Sequence, residues 1–266
     1  MFWMADQATG FKSCRRHAMN KVLLVTGGGR GIGAATALLA AEQGWAVAVN
    51  YTANSLAADE VVRQIRAADG QAISVKADVA DETQVLRMFE HIDAKLGRLS
   101  GLVNNAGVVD VAARVDEMSV ARWKRMFDVN VIGSLICARE AVRRMSTRHG
   151  GEGGSIVNVS SAAARLGSPG QYVDYAAAKG AIDAFTIGLS KEVAAEGIRV
   201  NAVRPGLIDT EIHASGGLPN RVKDLQHLVP AQRGGTAQEV AQAIVWLLSD
   251  AASYTTMSFL DVSGGR

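Results

Sequence analysis

From Lys21 onward the hydrophobic positions gather into seven short runs: KVLLVT (21–26), AVAVNY (46–51), AISVK (72–76), GLVNN (101–105), SIVNVS (155–160), RVNAV (199–203) and SFLDV (258–262). Within most of them Val, Ile, Leu and Ala stand side by side rather than alternating with polar residues. Strands buried on both faces have this pattern. Segments of helical length separate the runs, at 55–68, 82–96, 119–145, 172–196 and 236–248, and a first helix opens behind a glycine-rich turn. Regular alternation of strand and helix predicts an α/β fold, a parallel sheet with helices on both faces. Seven strands use the whole of residues 21–266, and no Pro- or Ser-rich linker or internal repeat divides them, so a single domain is expected.

Composition narrows the function classes. A chain of 266 residues that is 48% hydrophobic can bury a sizeable core, which excludes a disordered chain and a small disulfide-stapled module. The net charge of +2 resides in residues 1–20, through Lys12, Arg15, Arg16 and Asp6; the remainder is neutral. A general nucleic-acid footprint is therefore absent. Cys14 and Cys137 are the two cysteines, giving neither a disulfide framework nor zinc spacing, and the chain is expected in the reducing cytoplasm. No run of 18 apolar residues predicts a membrane span. Residues 1–20, MFWMADQATGFKSCRRHAMN, lack the apolar stretch of a secretory signal. They are expected to be a disordered extension, with Met19 the natural first residue; Arg15 and Arg16 among few acids leave an organelle presequence as the alternative.

The chemistry lies at the ends of the predicted strands. Thr26-Gly27-Gly28-Gly29-Arg30-Gly31-Ile32-Gly33 joins the first strand to the first helix. Glycines there let a pyrophosphate approach backbone N–H groups at a helix N-terminus. The second strand ends Val49-Asn50-Tyr51-Thr52, and no acid follows until Asp59. An NAD site usually has Asp or Glu at this point for the ribose 2′-hydroxyl; Arg30 without a competing carboxylate favours a 2′-phosphate, hence NADP(H) over NAD(H). Tyr175 and Lys179 are four apart in YAAAK and share a helix face. An ammonium beside a phenol favours phenolate, so this pair can exchange a proton with an alcohol or carbonyl oxygen. Ser160 and Ser161 end the fifth strand and Asn104-Asn105-Ala106-Gly107 the fourth, at the sheet edge where open α/β proteins bind ligands. Asn130 stands within a predicted helix, where its poor propensity points to a polar task.

Together these motifs resemble the short-chain dehydrogenase/reductase family over residues 21–266: TGGGRGIG at 26–33, Asp78-Val79, NNAG at 104–107, Asn130, Ser161, YAAAK at 175–179, and Pro205-Gly206 with Thr210. The resemblance implies a Rossmann-type, doubly wound sheet of order 3-2-1-4-5-6-7. It implies that Tyr175 is the general acid or base, that Lys179 lowers its pKa and holds the nicotinamide ribose, that Ser161 polarises the substrate oxygen, and that Asn130 holds a relay water. Hydride would pass to or from the nicotinamide without a metal. Gly27, Gly29, Arg30, Gly31 and Ile32 would hold the phosphates. Asn50, Tyr51 and Thr52 would assist at the 2′-phosphate, and Asp78 and Val79 would cradle adenine. Asn104, Ala106 and Gly107 would meet the adenosine side and support the sheet; Pro205, Gly206, Ile208 and Thr210 would line the carboxamide.

Two departures from the family pattern stand out. Thirteen residues separate Ser161 from Tyr175 where twelve are usual, and Ser160 is farther still, so Ser161 is preferred and Ser160 held in reserve. Thr52 stands where some NADP-dependent relatives carry Arg. Residues 210–235 resemble the family's variable substrate lid, and no pair of arginines within it can be assigned as a carboxylate clamp. The resulting expectation is an NADP(H)-dependent enzyme interconverting a small-molecule carbonyl and a secondary alcohol, a homotetramer or homodimer. Its alternatives are a 3-oxoacyl-carrier-protein reductase, for which Arg143, Arg144, Arg148 and His149 would be docking cations, and a non-catalytic NADP(H) sensor.

Overall fold

The computed structural model describes residues 21–266, so the expectation for residues 1–20 lies outside the described residues. Its strands are β1 (Val22–Val25), β2 (Ala46–Tyr51), β3 (Ala72–Lys76), β4 (Leu99–Asn104), β5 (Gly154–Val159), β6 (Ile198–Pro205) and β7 (Phe259–Val262). They form one sheet in the order β3-β2-β1-β4-β5-β6-β7, every neighbouring pair parallel. The helices are α1 (Gly31–Glu42), α2 (Ser55–Ala67), α3 (Glu82–Lys95), α4 (Val120–Phe127), α5 (Gly133–Met145), α6 (Ala163–Leu166), α7 (Val173–Val193), α8 (Ile212–Ser215), α9 (Arg221–Leu225) and α10 (Ala237–Leu248).

Unbroken apolar runs become central strands because both faces are covered. Along β1, Leu23 and Val25 pack toward α1, α2 and α10, whereas Val22 and Leu24 pack toward α3, α5 and α7. All four are fully buried, so a polar residue at any of them would lose solvation without gaining a partner. The chain order reverses between β1 and β4, and the crevice at their carboxyl ends is the switch point where such sheets take ligands.

Three element boundaries depart from the apolar pattern. β4 starts at Leu99, before its apolar run, because the β1–β4 register shifts between Val22 and Leu23 and the Ser100 hydroxyl accepts the Val22 N–H at 3.4 Å. The expected helix 119–145 is three pieces: α4, a π-helical turn over Asp128–Ile132, and α5. The predicted helix 172–196 ends as α7 with a 3₁₀ turn over Ala194–Glu196.

Side-chain caps close half of the long helices. Asn54 accepts the Ala57 N–H at α2, Asp81 the Gln84 N–H at α3, and Thr236 forms a reciprocal box with Glu239 at α10. α1 differs: it has no side-chain cap and no acid in its first turn, so its N–H groups point unclaimed into the crevice. Among the described residues, no helix is long and apolar enough to cross a membrane.

Candidate active site

The glycine-rich turn is held from below by three side chains. The Thr26 hydroxyl donates to the Val103 carbonyl at 3.2 Å and accepts the N–H groups of Asn105 and Ala106 at 2.9 and 3.0 Å. Asn105 Nδ2 donates to the carbonyls of Thr26 and Gly27 at 2.8 and 3.1 Å. Asn50 Oδ1 accepts the Gly27 N–H at 3.1 Å, while its Nδ2 donates to the Ala77 and Val75 carbonyls at 3.0 and 3.3 Å. Two glycines are obligatory. Gly27 has φ +61°, and a Cβ there would lie 3.0 Å from Ala106 Cα; a Cβ on Gly33 would lie 2.4 Å from the Gly27 carbonyl oxygen. Gly29 packs on the backbone of Ala58 in α2, and Gly31 on Thr210. The outcome is a narrow cradle of main chain beneath an uncapped helix N-terminus, which suits a pyrophosphate.

Several expected nucleotide contacts are placed differently. Asn50 is buried and wholly engaged with Gly27, Val75 and Ala77, so it shapes the cradle and cannot also serve a 2′-phosphate. Asn104 is likewise buried: its Nδ2 donates to Asn158 Oδ1 and the Ser134 carbonyl, which ties β4 to β5 and α5 rather than to an adenosine. Tyr51 packs partly buried against the core, and the Thr52 hydroxyl donates to the Ala77 carbonyl at 3.4 Å. Val79 is buried with its side chain against Gly133, and the Asp78 carboxylate accepts the Ala80 N–H, so adenine would meet the backbone here. Arg30 is exposed, and its Nη2 donates to the Ser215 hydroxyl of α8 at 3.4 Å. Pro205, Gly206, Ile208 and Thr210 line the cavity beside Ile32 and Gly107.

The Tyr-bearing helix is anchored at its start. Asp174 accepts Arg122 Nε and Nη2 at 2.7 and 3.1 Å, a two-pronged pair almost sealed from solvent, and Arg122 also donates to the Val111 carbonyl. This pair fixes α7 against α4 one residue before Tyr175. Tyr175 and Lys179 follow on one face, the Lys179 Nζ 5.5 Å from the Tyr175 ring centroid and donating to the Val159 carbonyl at 2.7 Å. Burial pushes the Tyr175 phenol up to about 12, against a hydrogen bond from Ser161 that pulls it down. The expected lowering by Lys179 is not realised: with its Nζ turned to the Val159 carbonyl, desolvation of the phenol dominates and Ser161 opposes it. Burial brings Lys179 down to about 8, and the charge of Asp183 opposes that shift.

The two serines separate in role. Ser160 is buried and donates to Asp183 Oδ1 at 2.6 Å, so it is spent on holding the Asp183–Arg204 pair. Ser161 accepts the Ala163 N–H at 3.1 Å and faces Tyr175 across the cavity. Between Ser161 and Tyr175 the chain turns sharply after α6, where Gly167, Ser168 and Gly170 all have positive φ.

The polar task of Asn130 is now visible. In the π-helical turn its Nδ2 donates to the carbonyls of Met126 and Val108 at 2.9 and 3.0 Å, and its Oδ1 accepts the Val108 N–H at 3.2 Å. It thus pins the loop after β4, including Gly107, where a Cβ would fall 2.8 Å from Asn130 Oδ1 and 3.7 Å from Lys179 Nζ. Widened turns of this kind recur at functional sites.

Ser161, Tyr175 and Lys179 open into one cavity of about 180 Å³, room for a ring-sized guest, and Asn130 stands behind its wall rather than among the lining residues. Its far wall comes from Val109, Leu166, Tyr172, Ile212, His213, Arg221 and Arg266. Sequence reasoning missed Asn105 and Thr26 as cradle supports, the Arg122–Asp174 anchor, and the meeting of Arg221 with Arg266. The first two lay inside motifs that had been recognised; the others join positions far apart in the chain and left no local signal. Among the described residues, no group of three His, Cys, Asp or Glu could hold a metal ion.

Known proteins resemble this chain along most of its length. A family model described as enoyl-(acyl carrier protein) reductase matches residues 27–266. An uncharacterized oxidoreductase, YgfF, of Escherichia coli is 58% identical over 92% of this chain and 99% of its own. The cis-4-hydroxycyclohexanecarboxylate dehydrogenase of Sinomonas cyclohexanicum is 41% identical over 92% of this chain and 96% of its own. Among solved structures, a Serratia marcescens short-chain dehydrogenase/reductase mutant superposes with a TM-score of 0.85 at 32% identity, covering 94% of this chain and 99% of that one.

Proposed function

The chain belongs to the short-chain dehydrogenase/reductase family of oxidoreductases, and from that premise we propose that it interconverts a carbonyl and a secondary alcohol with NADP(H) as hydride donor or acceptor. The observation that carries the reading is convergence: Tyr175, Ser161 and Lys179 face one cavity that adjoins a main-chain cradle beneath an uncapped helix N-terminus. When bound, the nicotinamide supplies the hydride. The protein supplies the proton and the geometry.

In the reducing direction Ser161 donates a hydrogen bond to the carbonyl oxygen. Tyr175, held in its protonated form by burial, gives its proton to that oxygen as negative charge grows on it. The ammonium of Lys179 stabilises the phenolate left behind. In the oxidising direction the same groups run in reverse. Asn130 acts as a positioning residue, holding Val108 and Gly107 against Lys179. Residues 210–235 form the lid, and Arg30 exchanges the Ser215 hydroxyl for the 2′-phosphate when nucleotide enters.

The carrier-protein reading fares worse on geometry. Arg144 at the end of α5 is largely covered and paired with Glu140 and Asp93, and Arg143 shares Glu140, whereas Arg148 and His149 stay exposed. A cytoplasmic homotetramer is part of the proposal. Val120, Trp123, Ile132 and Ile187 stand exposed on the α4, α5 and α7 side, and Trp246, Tyr254 and Met257 stand exposed near β7.

The test is a fluorescence titration with NADPH and NADH, followed by NADPH oxidation against a panel of ketones, diketones, keto sugars and 3-oxoacyl thioesters. Tight NADPH binding with turnover is expected. Arg30→Ala should weaken NADPH about 10- to 100-fold, the worth of a charge-assisted hydrogen bond, and leave NADH nearly unchanged. Equal effects on both nucleotides would remove Arg30 from phosphate recognition. Tight binding with no turnover of any panel class would favour a sensor, and failure to bind either nucleotide would overturn the reading.

A further inference from the structure

The substrate end of the cavity holds a guanidinium with nothing to hold. Arg221, at the start of α9, lies over the face of Tyr172 with its Cζ 5.2 Å from the ring centroid. Its Nη1 is sealed from solvent and has no hydrogen-bond partner among the described residues. A guanidinium keeps its charge at any working pH; Arg221 is half-buried and stacked on Tyr172, and its sealed Nη1 is a donor available to an acceptor inside the cavity.

The surroundings add charge of the same sign. Arg266 comes from the other end of the structure to line the same cavity, and no Asp or Glu is among the residues that line it. Burial lowers the pKa of Arg221, and the positive charge of Arg266 lowers it further; Tyr172 acts in the opposite direction. The neighbouring ring of His213 is committed to the Ile208 carbonyl at 2.8 Å, and burial together with Arg221 favours its neutral form despite Asp209. Tyr172 itself is tied to the segment, its hydroxyl donating to the Gly216 carbonyl at 3.4 Å. The cationic corner is therefore shaped on one side by the residue that precedes α7 and on the other by the segment 210–235.

We propose that Arg221, stacked on Tyr172 and joined by Arg266, is a carboxylate-binding subsite, and that the substrate is a small oxo or hydroxy acid. A carboxylate matches the planar fork of a guanidinium in two-pronged fashion. Tyr172 precedes α7 and Tyr175 lies in its first turn, and both line the cavity. Arg221 and Tyr175 line the same cavity of about 180 Å³, so a substrate that puts its carboxylate on Arg221 and its carbonyl at Tyr175 must be the size of a ring or a short chain. The inference rests on the oxidoreductase reading above and adds what the substrate must carry.

The experiment separates the two. Oxo acids with the ketone two to five bonds from the carboxylate are assayed with NADPH beside their methyl esters. The protein already loaded with NADPH is titrated calorimetrically with benzoate and benzamide as unreactive probes. Acids should show KM values about 10- to 100-fold below those of their esters, benzoate should bind correspondingly tighter than benzamide, and both preferences should collapse in Arg221→Gln and recover partly in Arg221→Lys. NADPH affinity, measured in the same titrations, should be unmoved by Arg221→Gln, since the residue faces substrate. Equal handling of acids and esters with benzoate no better than benzamide overturns the subsite, as does a preference that survives in Arg221→Gln. A fall in NADPH affinity in that variant without loss of a carboxylate preference would reassign Arg221 to the nucleotide. If no ketone turns over, the benzoate titration alone decides the subsite, and the oxidoreductase reading fails separately.

Discussion

The two ends of the active-site crevice are built on different principles. The nucleotide cradle is main chain, threaded between obligatory glycines and braced by the amides of Asn50 and Asn105. It is written in one contiguous motif, since the N–H groups that a helix N-terminus offers to an anion belong to every sequence. The substrate wall is side chain, gathered from the loop after β4, the start of α7, the segment 210–235 and Arg266. No contiguous motif encodes it. A shared cofactor can thus keep its cradle while the wall varies with the substrate.

That contrast can be broken in four places. The largest effect belongs to the shared chemistry between the two ends. Tyr175→Phe should lower kcat about 10²- to 10⁴-fold, the usual worth of a positioned acid–base group, with NADPH binding intact by fluorescence titration. Activity near the native level would remove the phenol from the mechanism. Next comes the wall. Arg122→Ala strands the buried Asp174 carboxylate, so urea unfolding should show a loss of about 3–5 kcal/mol. A loss below about 1 kcal/mol would mean that water reaches Asp174 and that the pair does not anchor α7.

Lys179 probes the cost of the site itself. It ionises at about 8 when folded, against an ordinary value of 10.5. Between those values the unfolded chain binds the extra proton, so native stability should rise with pH from about 8 towards 10, and the charge is most costly below 8. Lys179→Met, though inactive, should therefore melt above the native protein at pH 7, and the gap should narrow by pH 10. A gap independent of pH would assign the difference to packing rather than charge. Above pH 10 the raised Tyr175 phenol gives the opposite slope, because the folded state then retains the proton that the unfolded state has lost. The smallest effect is expected at the cradle: Asn50→Ala should cost about 1–3 kcal/mol of stability through the freed Gly27 N–H and Ala77 carbonyl, and weaken NADPH and NADH alike. A selective loss of NADPH would return Asn50 to the 2′-phosphate.

How much the residue string discloses depends on the range of the interaction. Strands β1, β2, β4, β5 and β6 were legible because burial on both faces demands unbroken apolar runs, whereas the partly buried edge strands β3 and β7 were legible from their place in the alternation. The Thr26–Gly33 turn and the Tyr175–Lys179 pair were legible because their geometry spans fewer than ten residues. Asn130 was recognisable as out of place in a helix, but only the π-helical turn shows what its amide does. Ser160 and Ser161 are chemically identical neighbours, and only the position of Asp183 on α7 engages one and leaves the other facing Tyr175.

By itself, then, the sequence determined that strands and helices alternate, that a glycine turn joins β1 to α1, and that Tyr175 and Lys179 share a helix face, since each follows from periodicity or from short-range backbone geometry. The tertiary structure alone decided that Asn50 and Asn104 are internal braces, that Arg122 secures Asp174, and that Arg221 and Arg266 share a corner without a counter-charge among the residues lining the cavity. Those facts depend on which distant side chains the folded sheet edge brings within a few ångströms, and on how much water it shuts out. Neither quantity is carried by any single stretch of the chain.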